Sequence, residues 1–373
     1  MSSQQKTLAV VGLGLLGASI ADATRKRYPG WRILGISSAA TIQEALNLKL
    51  IDEGWDYPDV AKALEACDIG FLCTPIDNIL GLLQSWVEKP LQLKPGAIIS
   101  DVGSTKAVIC VAGKKVFPAD RDGVFIGSHP MAGSEKTGLK ARDAHLFENA
   151  AWIICPDKDA SAKMEVARIE LEKFVQGLGA RTLTLNPQNH DLIVAMASHL
   201  PQILSTALAA YAGTSESLSS ILEVAGGGFR DMTRLAGSSF AVWEPILRTN
   251  RSNLEFILPT FRRELEALEI SLSKDGGEQF FEEANTLRSK FSAPRKGFTS
   301  PTTEILVDLE DKPGALLAVL SPLSQANLNV LDLEILKVRE GEEGVLMMGF
   351  HKLEEAQSAL VLLEKSGHQA RLR

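Results

Sequence analysis

Hydrophobic and polar positions follow different periods in successive parts of the chain. Up to about residue 185, short apolar runs alternate with segments of helical spacing, and from about 190 to 289 apolar residues recur every three or four positions. The first pattern predicts a doubly wound α/β sheet and the second an all-helical domain. A strand pattern returns after residue 303. With 373 residues to place, we predict three domains, at 1–185, 186–290 and 302–373.

The strands of the first domain are predicted from runs of apolar and β-branched residues. They are Thr7–Val11, Arg32–Ile36, Cys67–Pro75, Gly96–Asp101, Val124–Ile126, Ala151–Cys155 and Arg181–Leu185. A helix from about 160 to 178 is expected between the last two.

A glycine-rich turn joins the first strand to a helix that extends to about Arg27. Its residues are Gly12, Leu13, Gly14, Leu15, Leu16 and Gly17. Glycines allow a tight turn, and the helix N-terminus presents free N–H groups to a pyrophosphate. This strand, turn and helix predict a dinucleotide-binding domain.

The ends of the neighbouring strands are expected to line the cofactor crevice. The second strand ends in Ser37 and Ser38, where a carboxylate would read the ribose and exclude a 2′-phosphate, so either NAD or NADP is expected. Thr74 and Pro75 follow another strand, and Ser104 follows a third. Ser104 is predicted either to cap the next helix or to lie in the site.

His129 is the first candidate for chemistry. It follows the predicted strand Val124–Ile126, at the sheet edge where open α/β folds bind ligands. On these grounds alone, a hydrogen-bonded loop residue is the alternative.

Two features of the helical region point to a site. The first helix carries His190, Asp191 and His199, and Pro201 should kink or restart it. Glycines 226–228 interrupt the domain, which predicts close approach of a ligand or another backbone. Arg230 and Arg234 follow these glycines. Each is interpreted either as a solvated surface residue or as a residue of the site. A helical domain of this kind is expected to form a homodimer.

The C-terminal segment has the order β-α-β-β-α. A basic linker from 288 to 303 precedes a strand from 304 to 309, a turn at 311–314 and a helix from 315 to 326. Strands at 328–339 and 344–351 and a helix from 353 to 366 follow, and residues 369–373 could add a last strand. This order predicts a small ferredoxin-like module.

Composition excludes several classes of function. The net charge of -7 argues against nucleic-acid or anionic-membrane partners. No apolar run approaches about 18 residues and no signal-peptide core follows the N-terminus, so a cytoplasmic protein is expected. The four cysteines lack C-x-x-C spacing, so neither a disulfide framework nor a metal site is expected, and they are interpreted as buried thiols.

Taken together, the motifs resemble the prephenate/arogenate dehydrogenase family of tyrosine biosynthesis, with a C-terminal ACT domain. The motifs are GLGLLG (12–17), DVGSTK (101–106), HPMAGSEKTG (129–138), NPQNHD (186–191), SHLPQ (198–202), GGGFRDMTRLAGS (226–238) and DKPGAL (311–316). The resemblance implies oxidative decarboxylation of prephenate, with hydride transfer to NAD or NADP.

The resemblance also implies roles for individual residues. His129 would act on the ring hydroxyl, and Ser104 would orient His129 beside the nicotinamide. His199 would contribute to substrate binding and Arg234 would clamp a substrate carboxylate. His190 and Ser134 are weaker candidates for the wall of the site.

Several alternatives stay open from sequence. Arogenate could replace prephenate as substrate, although the uncharged Gln202 favours prephenate. A β-hydroxyacid dehydrogenase would share the first two domains, but it would carry a lysine in a glycine-rich helix where this chain has arginines. A non-catalytic amino-acid sensor is the third alternative. L-Tyrosine is expected as an effector of the ACT domain, bound at the 311–314 turn and completed by residues 327–330 of a partner module.

Overall fold

The computed structural model describes residues 5–118, 120–133, 136–157, 161–274, 276–290, 303–310, 312–336 and 344–372. The chain divides into two compact units, Met1–Gly277 and Glu278–Arg373.

The first unit contains an eight-stranded sheet. In chain order its strands are β1 (Thr7–Val11), β2 (Arg32–Ile36), β3 (Glu53–Trp55), β4 (Ile69–Leu72), β5 (Ile98–Asp101), β6 (Val124–Pro130), β7 (Ala151–Cys155) and β8 (Arg181–Thr184). Their order in the sheet is β3-β2-β1-β4-β5-β6-β7-β8, and every neighbouring pair is parallel except β6 with β7. The predicted α/β domain is confirmed, and β3 is an addition to the predicted strands.

Helices cover both faces of this sheet. They are α1 (Leu15–Arg27), α2 (Ala39–Asn47), α3 (Val60–Glu65), α4 (Ile76–Glu88), α5 (Ala107–Val116) and α6 (Ala162–Gly177). One buried cluster includes Ile20, Phe71 and Phe174, and another includes Leu64 and Ile79. Because the central strands β1 and β4 are fully buried, they appear in the sequence as continuous apolar runs.

Strand β6 is longer than the sequence predicts and changes partner along its length. Residues 124–126 pair in parallel with β5, and residues 127–130 pair antiparallel with β7, with His129 opposite Ile153. His129 is therefore part of a strand, and the prediction that it follows the strand is wrong. Pairing with β7 continues the strand through a polar stretch that has no apolar signal of its own.

The second part of this unit is helical, as predicted. Its helices are α7 (Pro187–Val194), α8 (Leu200–Gly213), α9 (Leu218–Val224), α10 (Gly227–Thr233), α11 (Phe240–Thr249) and α12 (Arg251–Leu272). A π-helical turn, Ala195–His199, joins α7 to α8 just before Pro201. The helix is therefore remodelled where Pro201 predicts a disturbance.

The continuous helical segment Pro187–Gly213 is long and apolar enough to cross a membrane by length and composition alone. It is not an unbroken apolar run, because polar residues interrupt it. Several of these polar residues are buried, among them His190, Asp191 and His199. A core helix of a globular protein passes the same test.

The three glycines at 226–228 do not have the expected neighbours. No heavy atom of another described residue lies within 4 Å of a Cβ built at any of them. No other backbone approaches these glycines within the described residues of one chain, and close approach of a ligand stays a prediction.

The second unit begins with α13 (Glu278–Lys290), so the predicted linker starts too early, and its residues 291–302 lie outside the described residues. The module that follows consists of β9 (Thr303–Leu309), α14 (Ala315–Gln325), β10 (Asp332–Leu336), β11 (Gly344–Phe350), α15 (Leu353–Lys365) and β12 (Ala370–Leu372). Its antiparallel sheet has the order β10-β11-β9-β12. The ferredoxin-like prediction is confirmed, including the last strand. Asp311 of the predicted turn and residues 337–339 of a predicted strand are not described.

Two glycines of the turn after β1 are dictated by backbone geometry. Gly12 has a φ of +96°, a backbone conformation that residues with a Cβ rarely adopt. A Cβ on Gly17 would lie 2.0 Å from the carbonyl oxygen of Gly12 and 3.0 Å from Cys73 Cβ. The absence of a side chain at Gly17 therefore lets α1 pack directly on β1 and the loop after β4.

A pair of substitutions tests this packing. Gly17→Ala should lower the free energy of unfolding by about 1–3 kcal/mol, because the added methyl overpacks the junction. Gly81 is exposed on α4, and nothing lies within 4 Å of a Cβ built there. Gly81→Ala should therefore raise the free energy of unfolding by roughly 0.5–1 kcal/mol, because alanine has the higher helix propensity. Urea unfolding of both variants measures whether each substitution stabilises or destabilises the protein. A stabilised Gly17→Ala variant would contradict this account of the junction.

Candidate functional site

The glycine-rich turn forms the cofactor end of the site. Helix α1 starts after Gly14 without a side-chain cap, so N–H groups of its first turn are available to an anion. Next to this turn, the hydroxyl Oγ1 of Thr74 is buried and has no hydrogen-bond partner among the described residues. Nothing within 4 Å would meet a Cβ on Gly14. A dinucleotide pyrophosphate fits these groups, since it supplies acceptors to the N–H groups and the hydroxyl.

The other predicted cofactor residues surround this point. Leu13 is buried beneath the turn, whereas Leu15 and Leu16 are half-buried at the start of α1. Ser37 is buried at the end of β2, where its N–H donates to Trp55 O over 3.2 Å. Pro75 is exposed at the start of α4.

A buried ion pair fixes the carboxyl ends of β5 and β6. The Lys106 ammonium contacts the Asp101 carboxylate, and neither side chain is accessible to solvent. Asp101 also accepts N–H bonds from Gly103 at 2.8 Å and Ser128 at 3.2 Å. The Ser128 hydroxyl donates to Asp101 O at 2.7 Å and accepts from Trp152 Nε1 at 3.0 Å. The strand end that carries His129 is therefore held on both sides.

The carboxylate of Asp191, on α7, connects the helical part to this edge. Its Oδ1 accepts the Lys106 N–H at 2.6 Å and its Oδ2 accepts the Ala107 N–H at 2.9 Å, both at the N-terminus of α5. The carboxylate is stabilised there by the helix dipole as well as by the two hydrogen bonds.

The ring of His190 lies between Asp191 and His129. Its Nδ1 is 2.8 Å from Asp191 Oδ1, and its Nε2 is 2.9 Å from His129 Nδ1. His190 is fully buried and His129 is half-buried. The structure thus places His190 behind His129 instead of on an open wall.

His199, in the π-helical turn, belongs to the same network. Its Nδ1 is 3.1 Å from Asn250 Nδ2, and that amide also donates to the main-chain oxygen of Asp191 at 2.8 Å. The bond to a main-chain oxygen fixes the amide orientation, so His199 Nδ1 is an acceptor and its Nε2 carries the proton. The His199 ring packs edge-on against Trp243.

Burial favours the neutral form of all three histidines near pH 7. Burial, followed by the neighbouring His190, Lys106 and His199, puts the pKa of His129 well below its ordinary value. Burial lowers the pKa of His199 to about 4, against the opposing Asp191 charge. The pKa of His190 is also lowered, mainly by burial, although its hydrogen bond to Asp191 acts the other way. A neutral imidazole at His129 can accept a proton near pH 7.

The remaining predicted site residues are placed less closely. Ser104 is half-buried in the loop before α5, and no described residue makes a hydrogen bond to its hydroxyl. Arg234 starts a 3₁₀ turn after α10 and is exposed, without an ion pair among the residues described. Ser134 lies outside the described residues.

Sequence reasoning missed the residues that support the histidines. Asp101, Lys106 and Asp191 occur within the quoted motifs without an assigned role, and Asn250 lies in none of the motifs. The adjacent His190-Asp191 pair on one helix was the available signal. Within the described residues, no cluster of three or more His, Cys, Asp or Glu could hold a metal ion. The four cysteines are free thiols, of which Cys67 and Cys155 are buried.

A dinucleotide-binding sheet whose edge carries a neutral histidine, covered by a helical domain, defines a dehydrogenase that uses a nicotinamide cofactor. Three family models match the chain. They are the nucleotide-binding domain of prephenate dehydrogenase over residues 20–184, its dimerization domain over 186–286 and the ACT domain over 303–364. The chain belongs to the prephenate dehydrogenase family.

Individual relatives agree with this assignment. A prephenate dehydrogenase of Bacillus subtilis is 30% identical, over 98% of this chain and 97% of the relative. The structure of Synechocystis arogenate dehydrogenase has a TM-score of 0.65 at 30% identity, covering 76% of this chain and 99% of that one. Prephenate dehydrogenase from Aquifex aeolicus, in complex with hydroxyphenyl propionate and NAD+, has a TM-score of 0.67 at 25% identity and covers 78% and 98%.

Proposed function

We propose that this enzyme oxidatively decarboxylates prephenate to 4-hydroxyphenylpyruvate, with NAD or NADP as the hydride acceptor. The observation that carries the proposal is the neutral, half-buried His129 at the carboxyl edge of the sheet, in a chain of this family. The reaction needs one proton acceptor at the C4 hydroxyl and cations or dipoles for two carboxylates.

The residues divide this work between them. His129 accepts the proton of the C4 hydroxyl as that carbon gives up hydride, the ring carboxyl leaves as CO₂, and the ring becomes aromatic. The nicotinamide supplies the two-electron acceptor when it is bound. Ser104, in the same loop as Lys106, would help to orient the reacting groups, and the His199 Nε2–H would donate to the substrate.

The choice of cofactor and substrate is tested in one assay that crosses prephenate and arogenate with NAD and NADP. NAD is supported by the Aquifex aeolicus complex, and Ser37 and Ser38 place no carboxylate against a 2′-phosphate. Activity with prephenate is expected with at least one cofactor. Absence of turnover with both substrates would overturn the proposed function. A non-catalytic amino-acid sensor would then be the better explanation.

The lack of charge on Gln202 favours prephenate, but the hydrogen bonding of its amide supports arogenate as a second substrate. The amide of Gln202 donates to Leu235 O at 2.9 Å, which leaves its buried Oε1 without a partner among the described residues. A free acceptor suits the ammonium group of arogenate, whereas the keto group of prephenate needs a donor.

His129 is tested by substitution and by pH. His129→Ala should lower kcat by about 10² to 10⁴, the usual worth of a general base. Because the pKa of His129 is lowered, its basic form persists below the ordinary histidine pKa. The wild-type kcat/KM should therefore stay level from pH 8 down to about 6.5 and fall only at lower pH. His145→Ala, at an exposed histidine, serves as the control. An acid limb above pH 7 would contradict the assignment.

Arg234 is proposed to clamp a substrate carboxylate with two charge-assisted hydrogen bonds. Arg234→Gln should raise KM for prephenate by about 10- to 150-fold, corresponding to roughly 1.5–3 kcal/mol for a hydrogen bond to a charge. Affinity for the nicotinamide cofactor should not change. Arg230→Gln, at the other exposed arginine of the same segment, is the matched control, and equal effects of the two variants would reject the specific role.

We also propose that the enzyme is a cytoplasmic homodimer joined through its helical domain. Large apolar side chains of this domain are exposed in the single chain, among them Tyr211 (78%), Val224 (80%), Phe240 (71%) and Phe256 (70%). Patches of this kind mark association surfaces, and the matching family model is that of a dimerization domain.

Regulation by L-tyrosine is proposed for the ACT domain. A cavity of about 320 Å³ lies beside the turn before α14, and its lining includes Glu310, Lys312, Ala315 and His368. Gly314 in this turn has a φ of +86°, a left-handed conformation that favours glycine. For inhibition from this domain, tyrosine must bind the inhibited conformation more tightly than the active one.

Truncation between residues 297 and 300 tests the regulatory proposal. The shortened enzyme should remain an active dimer and lose inhibition by L-tyrosine, because its binding site is gone. The measurement is the tyrosine inhibition curve of both forms, with their mass in solution as a control for dimerisation. Undiminished inhibition after truncation would place the tyrosine site elsewhere, with competition at the active site as the first alternative.

A further inference from the structure

The three side chains Asp191, His190 and His129 form one linear hydrogen-bonded row. The distances along it are 2.8 Å from Asp191 Oδ1 to His190 Nδ1 and 2.9 Å from His190 Nε2 to His129 Nδ1. We infer that His190 and Asp191 are positioning residues that fix the tautomer of His129, leaving its Nε2 as the nitrogen that accepts the substrate proton. This inference rests on the proposed role of His129 as the base.

The direction of each hydrogen bond follows from the acceptor at one end. Both oxygens of Asp191 accept main-chain N–H bonds, and a carboxylate has no proton to donate. His190 Nδ1 must therefore carry a proton. Because His190 is neutral, its Nε2 is bare and accepts, so the proton between the two rings belongs to His129 Nδ1.

The environment of the row disfavours the competing arrangement, in which His190 is protonated and donates to His129. His190 is completely buried, so water cannot replace either of its partners. The charged groups around it are Lys106, whose ammonium is paired with Asp101, and Asp191 itself. A protonated His190 would donate from Nδ1 to Asp191 and from Nε2 to His129, which would force His129 into the Nε2–H tautomer. Burial lowers the pKa of His190 and opposes that state.

The row also stabilises the product of the proton transfer. When Nε2 of His129 takes the proton from the C4 hydroxyl, the ring becomes an imidazolium and its Nδ1–H bond to His190 becomes charge-assisted. The proton stays on His129, and Asp191 remains a carboxylate, so no proton moves along the row.

The tautomer can be read directly in the whole enzyme. The chain has six histidines, and ring ¹⁵N spectra of the histidine-labelled enzyme distinguish a protonated Nδ1 from a protonated Nε2. The His129 signals are assigned by their loss in His129→Asn. We expect His129 protonated at Nδ1 and bare at Nε2 near pH 7, with His190 in the same form. A His129 protonated at Nε2 would overturn the inference, whether or not the enzyme turns over prephenate.

Two variants at His190 separate positioning from folding. His190→Leu removes the acceptor and should lower kcat roughly 10- to 100-fold, less than the about 10⁴-fold loss seen when a protease triad adopts the wrong tautomer. KM should change by less than about threefold, and the His129 spectrum should show a mixture of tautomers. His190→Gln keeps an acceptor for His129 and a donor for Asp191, so it should recover most of the rate.

The outcomes are separable from those of the proposed function. Equal losses in the two variants with an unchanged His129 tautomer would assign His190 a structural role and overturn the inference. Wild-type kcat retained within threefold in His190→Leu would do the same. If His190→Leu fails to fold, the wild-type spectrum and His190→Gln still decide the question. An enzyme inactive towards prephenate and arogenate would refute the proposed function while the spectrum still reports the tautomer.

Discussion

The arrangement of the histidine network at the sheet edge depends on one buried carboxylate. Asp191 is 2% exposed, and burying a charge is costly unless hydrogen bonds compensate for it. The compensation comes from two different parts of the chain: the first turn of α5 supplies two main-chain donors and α7 supplies His190. Neither part could move without leaving a buried charge unpaired. The carboxylate therefore fixes the helical part against the end of the sheet, and with it the position of every histidine in the network.

The Lys106–Asp101 ion pair is the second interaction that holds the start of α5, and it attaches this segment to the end of β5. Lys106 contributes its ammonium to Asp101 and its main-chain N–H to Asp191. One residue thus joins two buried carboxylates that belong to different domains. Its positive charge also disfavours protonation of His129 and His190. Lys106 therefore both holds the backbone at this edge in place and keeps the neighbouring histidines neutral, as expected for a preorganised site.

The features that the sequence predicted well are those encoded locally. The turn after β1 needs glycine at two positions for steric reasons, and continuous apolar runs identify the buried strands β1 and β4 without knowledge of their partners. The ferredoxin-like order of the last module is also visible from periodicity alone. These signals depend on neighbours in the chain, and their physical causes are short-range.

Features that depend on distant partners could not be predicted. Residues 127–130 form a strand because β7 pairs with them. The polar residues of this stretch carry no pattern that predicts a strand. His190 was expected on the wall of the site, but its position behind His129 follows from the attachment of Asp191 to α5, 85 residues away in the chain. Asn250 joins the network from the end of α11, and no motif marks it.

The π-helical turn has a consequence for the rotational phase of the long helix. In a regular α-helix each residue turns by about 100°, so residues nine positions apart, such as His190 and His199, would project from opposite sides. A π-turn absorbs one additional residue, which brings the two rings to within about 80° of each other. The helix therefore behaves as two segments with a built-in phase shift. Deletion of one residue within the turn would leave a regular α-helix with the same relative phase. The π-turn therefore accommodates an additional residue while the downstream segment, including Gln202, keeps its orientation.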